Sequence, residues 1–127
     1  MTVTRPDAKL RDLPVVAPVY MSAENTLLIF CTCPDLPTAG RLADELVRRR
    51  LAACVSQLPG LISTYRWQEK LARDEEVLLL IKTTESRYAD LERTLAELHP
   101  YELPEILAVP VNAGLPGYLD WVAESTR

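Results

Sequence analysis

Histidine is the scarcest polar residue of this chain: His99 stands alone in 127 residues. A metal site built from several imidazoles is therefore excluded, and so is a metalloprotease helix with its two histidines. Cysteine is also sparse, at Cys31, Cys33 and Cys54. An odd count without a spaced framework does not make a disulfide scaffold, and a reducing, cytoplasmic setting is expected. Four glycines leave no nucleotide-binding glycine fingerprint, and no Ser/His/Asp order is present. No apolar run reaches the roughly 18 residues of a membrane span, and no basic segment followed by an apolar one marks a signal peptide. Basic residues are too few and too scattered for nucleic acid. The formal net charge is −4, and the longest basic run is Arg48-Arg49-Arg50. At the end of a helix, such a run complements the macrodipole and faces solvent. Neither a membrane nor a nucleic-acid partner is expected.

Proline, by contrast, is abundant, with ten in the chain and three of them at Pro6, Pro14 and Pro18. Proline at that density opposes helix and central strand alike, so residues 1–25 are expected to be a flexible N-terminal extension. Residues 26–127 are expected to form one domain. The apolar fraction of 48 % and charged fraction of 25 % suit an ordinary globular core.

Within that domain, Thr26–Thr32 is a continuous apolar run, the pattern of a buried strand. Asp35 is placed to cap a helix, with Pro37 in its first turn. Ala39, Leu42, Ala43, Leu46 and Val47 then recur at helical spacing. A second strand begins at Cys54, bends at Pro59-Gly60 and resumes from Leu61 to Trp67. A polar reverse is expected over Gln68–Asp74 and a third strand over Glu75–Thr83, giving a long antiparallel hairpin. Ser86–Leu98 reads as a second helix, capped by Thr84 or Glu85 and ended by Pro100. A fourth strand follows at Ile106–Val109, and a short amphipathic helix at Gly117–Ser125.

The order β-α-β-β-α-β is the ferredoxin-like, split-βαβ arrangement of an α+β domain, here with a long hairpin and a C-terminal helix. Right-handed crossovers put both main helices on one sheet face. The strands are nonetheless apolar as if buried on both faces. The second face then needs a terminal segment or another copy of the chain to cover it, so a homo-oligomer is expected.

The stretch His99-Pro100-Tyr101-Glu102-Leu103-Pro104-Glu105-Ile106 joins the second helix to the last strand. Its prolines hold His99 and Leu103 out of the α conformation, which makes the corner extended and stiff. His99 reads either as a structural hydrogen-bonding group or as a ligand to copper or zinc. One histidine needs further donors. Cys31 and Cys33 form a C-x-C at a strand end, where i and i+2 share a face and could meet one soft metal. Cys54 reads as a small buried hydrophobe. His99 with Glu105 could in principle serve acid–base chemistry, but no nucleophile or second base accompanies them, and no enzyme activity is expected.

Together these segments resemble the CutA divalent-cation-tolerance family. The motifs that carry the likeness are Cys31-Thr32 with Pro34-Asp35, Leu51-Ala52-Ala53-Cys54-Val55, Tyr65-Arg66-Trp67 and Ile81-Lys82-Thr83-Thr84. The His99–Ile106 corner and Tyr118-Leu119-Asp120-Trp121 complete them, in the family's order from about Thr26 to Thr126. The resemblance implies a ferredoxin-like homotrimer with the architecture of the PII signalling proteins, and a role in the response to divalent metal ions. It implies a metal site containing Cys31 and His99 for copper or another divalent ion, and no organic cofactor. Leu98 stands where the family pattern carries the first histidine of a pair. Fold analogy with PII proteins suggests an alternative, a regulatory or scaffold trimer holding a small molecule or protein in an inter-subunit cleft. Lys82, Tyr65, Trp67, Tyr101 and Glu105 are the candidates to line it.

Overall fold

The structure is a computed structural model and describes residues 24–127. The extension expected over residues 1–25 therefore lies outside the described residues up to position 23. Four strands and three α-helices follow in the order β1 (Thr26–Cys33), α1 (Leu36–Arg48), β2 (Cys54–Trp67), β3 (Lys70–Thr84), α2 (Tyr88–Leu98), β4 (Ile106–Pro110) and α3 (Pro116–Ser125). They form one antiparallel sheet in the order β2-β3-β1-β4, the ferredoxin-like topology.

Local chemistry sets the boundaries. Asp35 caps α1 by accepting from the Thr38 amide at 2.8 Å, and a proline occupies the first turn. The arginine run at its far end is exposed, and Arg48 and Arg49 both bind Glu45, at 2.5 and 2.9 Å. Gly60 adopts φ +84°, where a side chain would be strained, and the β2–β3 register shifts between Leu58 and Leu61.

Two expectations need correction. The hairpin does not reverse over Gln68–Asp74. Only Gln68 and Glu69 leave the ladder, with φ of 49° and 67°, so β3 begins at Lys70. Two consecutive left-handed residues match the twist of paired strands, which lets the ladder run to the tip despite its polar sequence. The second helix also starts later. A 3₁₀ turn at Glu85–Arg87 precedes α2, and Thr84 makes no side-chain cap. Its hydroxyl instead faces Thr126 and Ser86, each at 3.4 Å.

The two sheet faces differ. Ile29, Cys31 and Cys33 of β1 and Val77, Leu79 and Ile81 of β3 point towards α1 and α2. There they meet Ala39, Leu42, Leu46, Leu91 and Leu95 in a closed core. At roughly 1.5–3 kcal/mol for each large side chain removed from water, this face carries most of the folding energy. The alternate residues face the other way. Helix α3 packs over one end of that second face, where Leu119, Val122 and Ala123 are buried and Thr126 meets Thr84. The sequence placed no helix there but allowed for a terminal segment, and α3 is that segment. Leu58 and Leu107 remain exposed beyond it, beside half-buried Phe30, Leu78 and Leu80.

Candidate metal centre

Helix α2 ends at Leu98 because Pro100 forces His99 out of the helical region, to φ −71° and ψ 138°. That exit turns the imidazole inward, and His99 is buried at 6 % exposure. It lands at the end of β1. Strand β4 pairs with β1 only as far as Cys31, and His99 Nε2 bonds the next carbonyl along, Thr32 O, at 2.8 Å. On the other side of the ring, Nδ1 accepts from the Tyr101 amide at 3.1 Å. A carbonyl only accepts and an amide only donates, so the two bonds together select the tautomer with its hydrogen on Nε2. Both nitrogens are thus committed inside the chain. Tyr101 completes the corner: its ring tilts against the imidazole at 4.8 Å, and its hydroxyl donates to Glu76 at 2.9 Å.

The C-x-C of β1 sits beneath this corner. Cys31 and Cys33 share the core-facing side of the strand, and both are wholly buried and unbridged. Their sulfurs and a ring nitrogen of His99 all lie within 4.8 Å of one another. The two thiols are unequal. A hydrogen bond with Cys33, then burial, then the charges of Cys33, Glu105 and Glu76 push the Cys31 thiol well above its ordinary range. The same hydrogen bond lowers Cys33, against burial and against Glu76 and Asp35. The first proton therefore leaves Cys33, and the second is held at Cys31. A metal cation held there would supply the positive charge that replaces both protons, coupling its binding to proton release.

Of the residues singled out from the sequence, Cys31 and His99 meet here, and Tyr101 joins them. Cys33 belongs to the same cluster; the i, i+2 spacing was its signal. Glu76 had no such signal. It lies in the acidic run Asp74-Glu75-Glu76, where the expected polar reverse gives way to the expected third strand, and it is buried and tied to Tyr101. A single chain does not gather the remaining cleft candidates. Glu105 is exposed at the start of β4. Tyr65 and Trp67 are exposed at the hairpin tip, where Tyr65 bonds Asp74. Lys82 lies at the other end of the ladder, bonded to Ser56 Oγ at 2.6 Å and close to Cys54 Sγ at 3.8 Å. Among the described residues, no helix is long and apolar enough to cross a membrane.

Residues 27–125 match the family model of the CutA1 divalent ion tolerance protein. The chain is 46 % identical over 99 residues to the divalent-cation tolerance protein CutA of Thermus thermophilus, covering 78 % of this chain and 96 % of that one. It is 43 % identical over 98 residues to the protein CutA of Mus musculus, covering 77 % of this chain and 55 % of that longer protein. Among solved structures, CutA of Xylella fastidiosa superposes with a TM-score of 0.79 at 51 % identity, over 80 % of this chain and 98 % of that one. CutA1 of Oryza sativa gives 0.81 at 37 % identity, over 84 % and 98 %.

Proposed function

Because the chain belongs to the CutA1 divalent ion tolerance family, we propose that it binds copper or a similar divalent ion at the His99 corner and serves the response to metal ions. The observation that carries this reading is the buried cluster of soft donors, with Cys31 and His99 in it, all within 4.8 Å. Imidazole and thiolate suit copper and zinc and disfavour hard ions such as magnesium and calcium. The role is sequestration or a binding-linked shift rather than turnover. His99 must give up one of its two internal hydrogen bonds to reach a metal, so loading the site alters the corner between α2 and β4.

The working form in this proposal is a homotrimer in the cytoplasm, where a reducing environment keeps the thiols available. The exposed Leu58 and Leu107 of the second sheet face, and Ile62, Trp67 and Leu71 of the hairpin, support self-association. Calorimetric titration of Cu(II) and of Zn(II) into the wild-type protein and His99→Ala tests the metal reading. Binding by the wild type and its loss in the variant is the expected result; equal binding by both removes His99 as a ligand.

A further inference from the structure

We propose that Cys33 is a metal ligand, and that with Cys31 and His99 it makes a two-sulfur, one-nitrogen seat for a thiophilic d¹⁰ ion, copper(I) or zinc(II). The proposal rests on the corner being a metal site and supplies a donor that Cys31 and His99 alone lack. The residue before His99, Leu98 at the end of α2, is 41 % exposed and offers no donor. Cys33 reaches the cluster from the opposite element, the strand.

The distances are close to those of a site. With metal–thiolate bonds of about 2.3 Å and a metal–imidazole bond of about 2.0–2.1 Å, a trigonal or tetrahedral ion holds its donors about 3.5–4 Å apart. The three ligand atoms lie within 4.8 Å of one another, so they need close by only about 1 Å around an ion. Strand geometry fixes the sulfurs: both side chains leave the same face of β1, and register with Leu79 and Val77 holds that face against the core. Two sulfurs fixed by the strand and an imidazole fixed by the proline corner form a nearly assembled cluster rather than a chance contact of mobile groups, and the ring completes it by giving up one of its hydrogen bonds.

Chemistry narrows the ion. The cluster holds no carboxylate, which excludes magnesium, calcium and manganese. Both thiols lose a proton on binding. Zinc(II) then leaves two thiolates and a neutral imidazole uncharged in sum, whereas copper(I) leaves one net negative charge near Glu76 and Glu105. That charge balance favours zinc(II). Coordination number favours copper(I), which three donors satisfy, whereas zinc takes a fourth.

The test uses the whole chain, reduced and under anaerobic conditions. Copper(I) as its acetonitrile complex and zinc(II) as its sulfate are titrated separately against a competing chelator, and X-ray absorption counts sulfur neighbours in each loaded sample. The expected result is one equivalent of at least one ion, with two sulfurs around it. Cys33→Ala should then weaken binding of that ion by more than the roughly 10–100-fold that loss of a group hydrogen-bonded to a ligand costs, with the sulfur count falling to one. Cys33→Ser, which keeps the side-chain shape, repeats the measurement if the alanine variant does not fold. Equal affinity and an unchanged sulfur count in the Cys33 variants overturn the proposal while leaving Cys31 and His99 as a metal site. Failure of the wild type to take up either ion overturns both.

Discussion

The two faces of one sheet are built from neighbouring residues of the same strands, yet they end in opposite states. On the helix side, Ile29, Leu79 and Ile81 are fully buried, and even the polar corner at His99 has every ring nitrogen bonded. On the other side, Leu58 is 48 % and Leu107 58 % exposed, with α3 covering only one end. Period-2 alternation explains how a strand serves two environments; it does not explain why both alternating sets are apolar. A contiguous exposed apolar patch is what an interaction surface offers, and it is the basis of the self-association proposed above. The closed face is complete within the chain and holds the metal candidates.

The largest effect that could break this contrast is on association. Leu58→Asp combined with Leu107→Asp places charge on the open face without touching the helix-side core. For the proposed homotrimer, sedimentation should show the variant's mass falling to that of a single chain. An unchanged mass would mean that the open face is not the contact surface.

Next in size is the cost of a hole on the closed side. Leu79→Ala should destabilise the protein by about 2–5 kcal/mol in chemical denaturation, because a wholly buried leucine leaves a cavity that its neighbours only partly fill. Leu107→Ala, exposed in the single chain, should cost less than about 1 kcal/mol when added to the Leu58→Asp variant. Equal losses at the two positions would erase the distinction between the faces.

His99 sits between these extremes and tests whether the corner is structural before it is functional. In metal-free protein, His99→Ala removes two hydrogen bonds and strands the Thr32 carbonyl and the Tyr101 amide. The buried Thr32 carbonyl costs about 1–3 kcal/mol when stranded and the half-buried Tyr101 amide about 1, so a loss of about 2–4 kcal/mol is expected in thermal or chemical unfolding. A metal-free variant as stable as the wild type would show that the clamp contributes nothing, and that His99 is there for a ligand alone.

Much of the architecture was legible in the sequence because its signals are local. Asp35 with Pro37 announced α1, the helical spacing from Ala39 to Leu46 announced its buried face, and Pro59-Gly60 announced the break in β2. What local signals could not carry was the balance between distant partners. The tip of the hairpin looked polar, but pairing along the whole ladder outweighed composition from Lys70 onwards. Thr84 looked like a cap, but its hydroxyl faces Thr126, 42 residues away. The same holds at the site. The spacing of Cys31 and Cys33 put two sulfurs on one face, whereas the burial of Glu76 depends on Tyr101 arriving from the far side of α2. Both ring nitrogens of His99 find backbone partners that only the folded chain brings within reach.

The smallest effect concerns a tyrosine on the closed side. Tyr88 opens α2, packs partly against the helix-side core and donates to Glu92 at 2.6 Å. That hydrogen bond, with burial and the carboxylate's charge behind it, pushes the phenol up to about 12 from its ordinary 10. Between those values the unfolded chain has released this proton and the folded chain has kept it, so the folded state binds more protons. Stability from this group is therefore complete below pH 10 and declines as pH rises towards 12. Tyr88→Phe should reduce the late part of the phenolate absorbance titration by one tyrosine and lessen the fall in stability over that window, with Tyr101 among those still titrating late. Glu92→Gln, which keeps an acceptor but removes the charge, should move the step earlier without abolishing it. If the late amplitude is undiminished in Tyr88→Phe, it belongs wholly to other tyrosines, and Tyr101, raised by burial and by Glu76, is the one to substitute next.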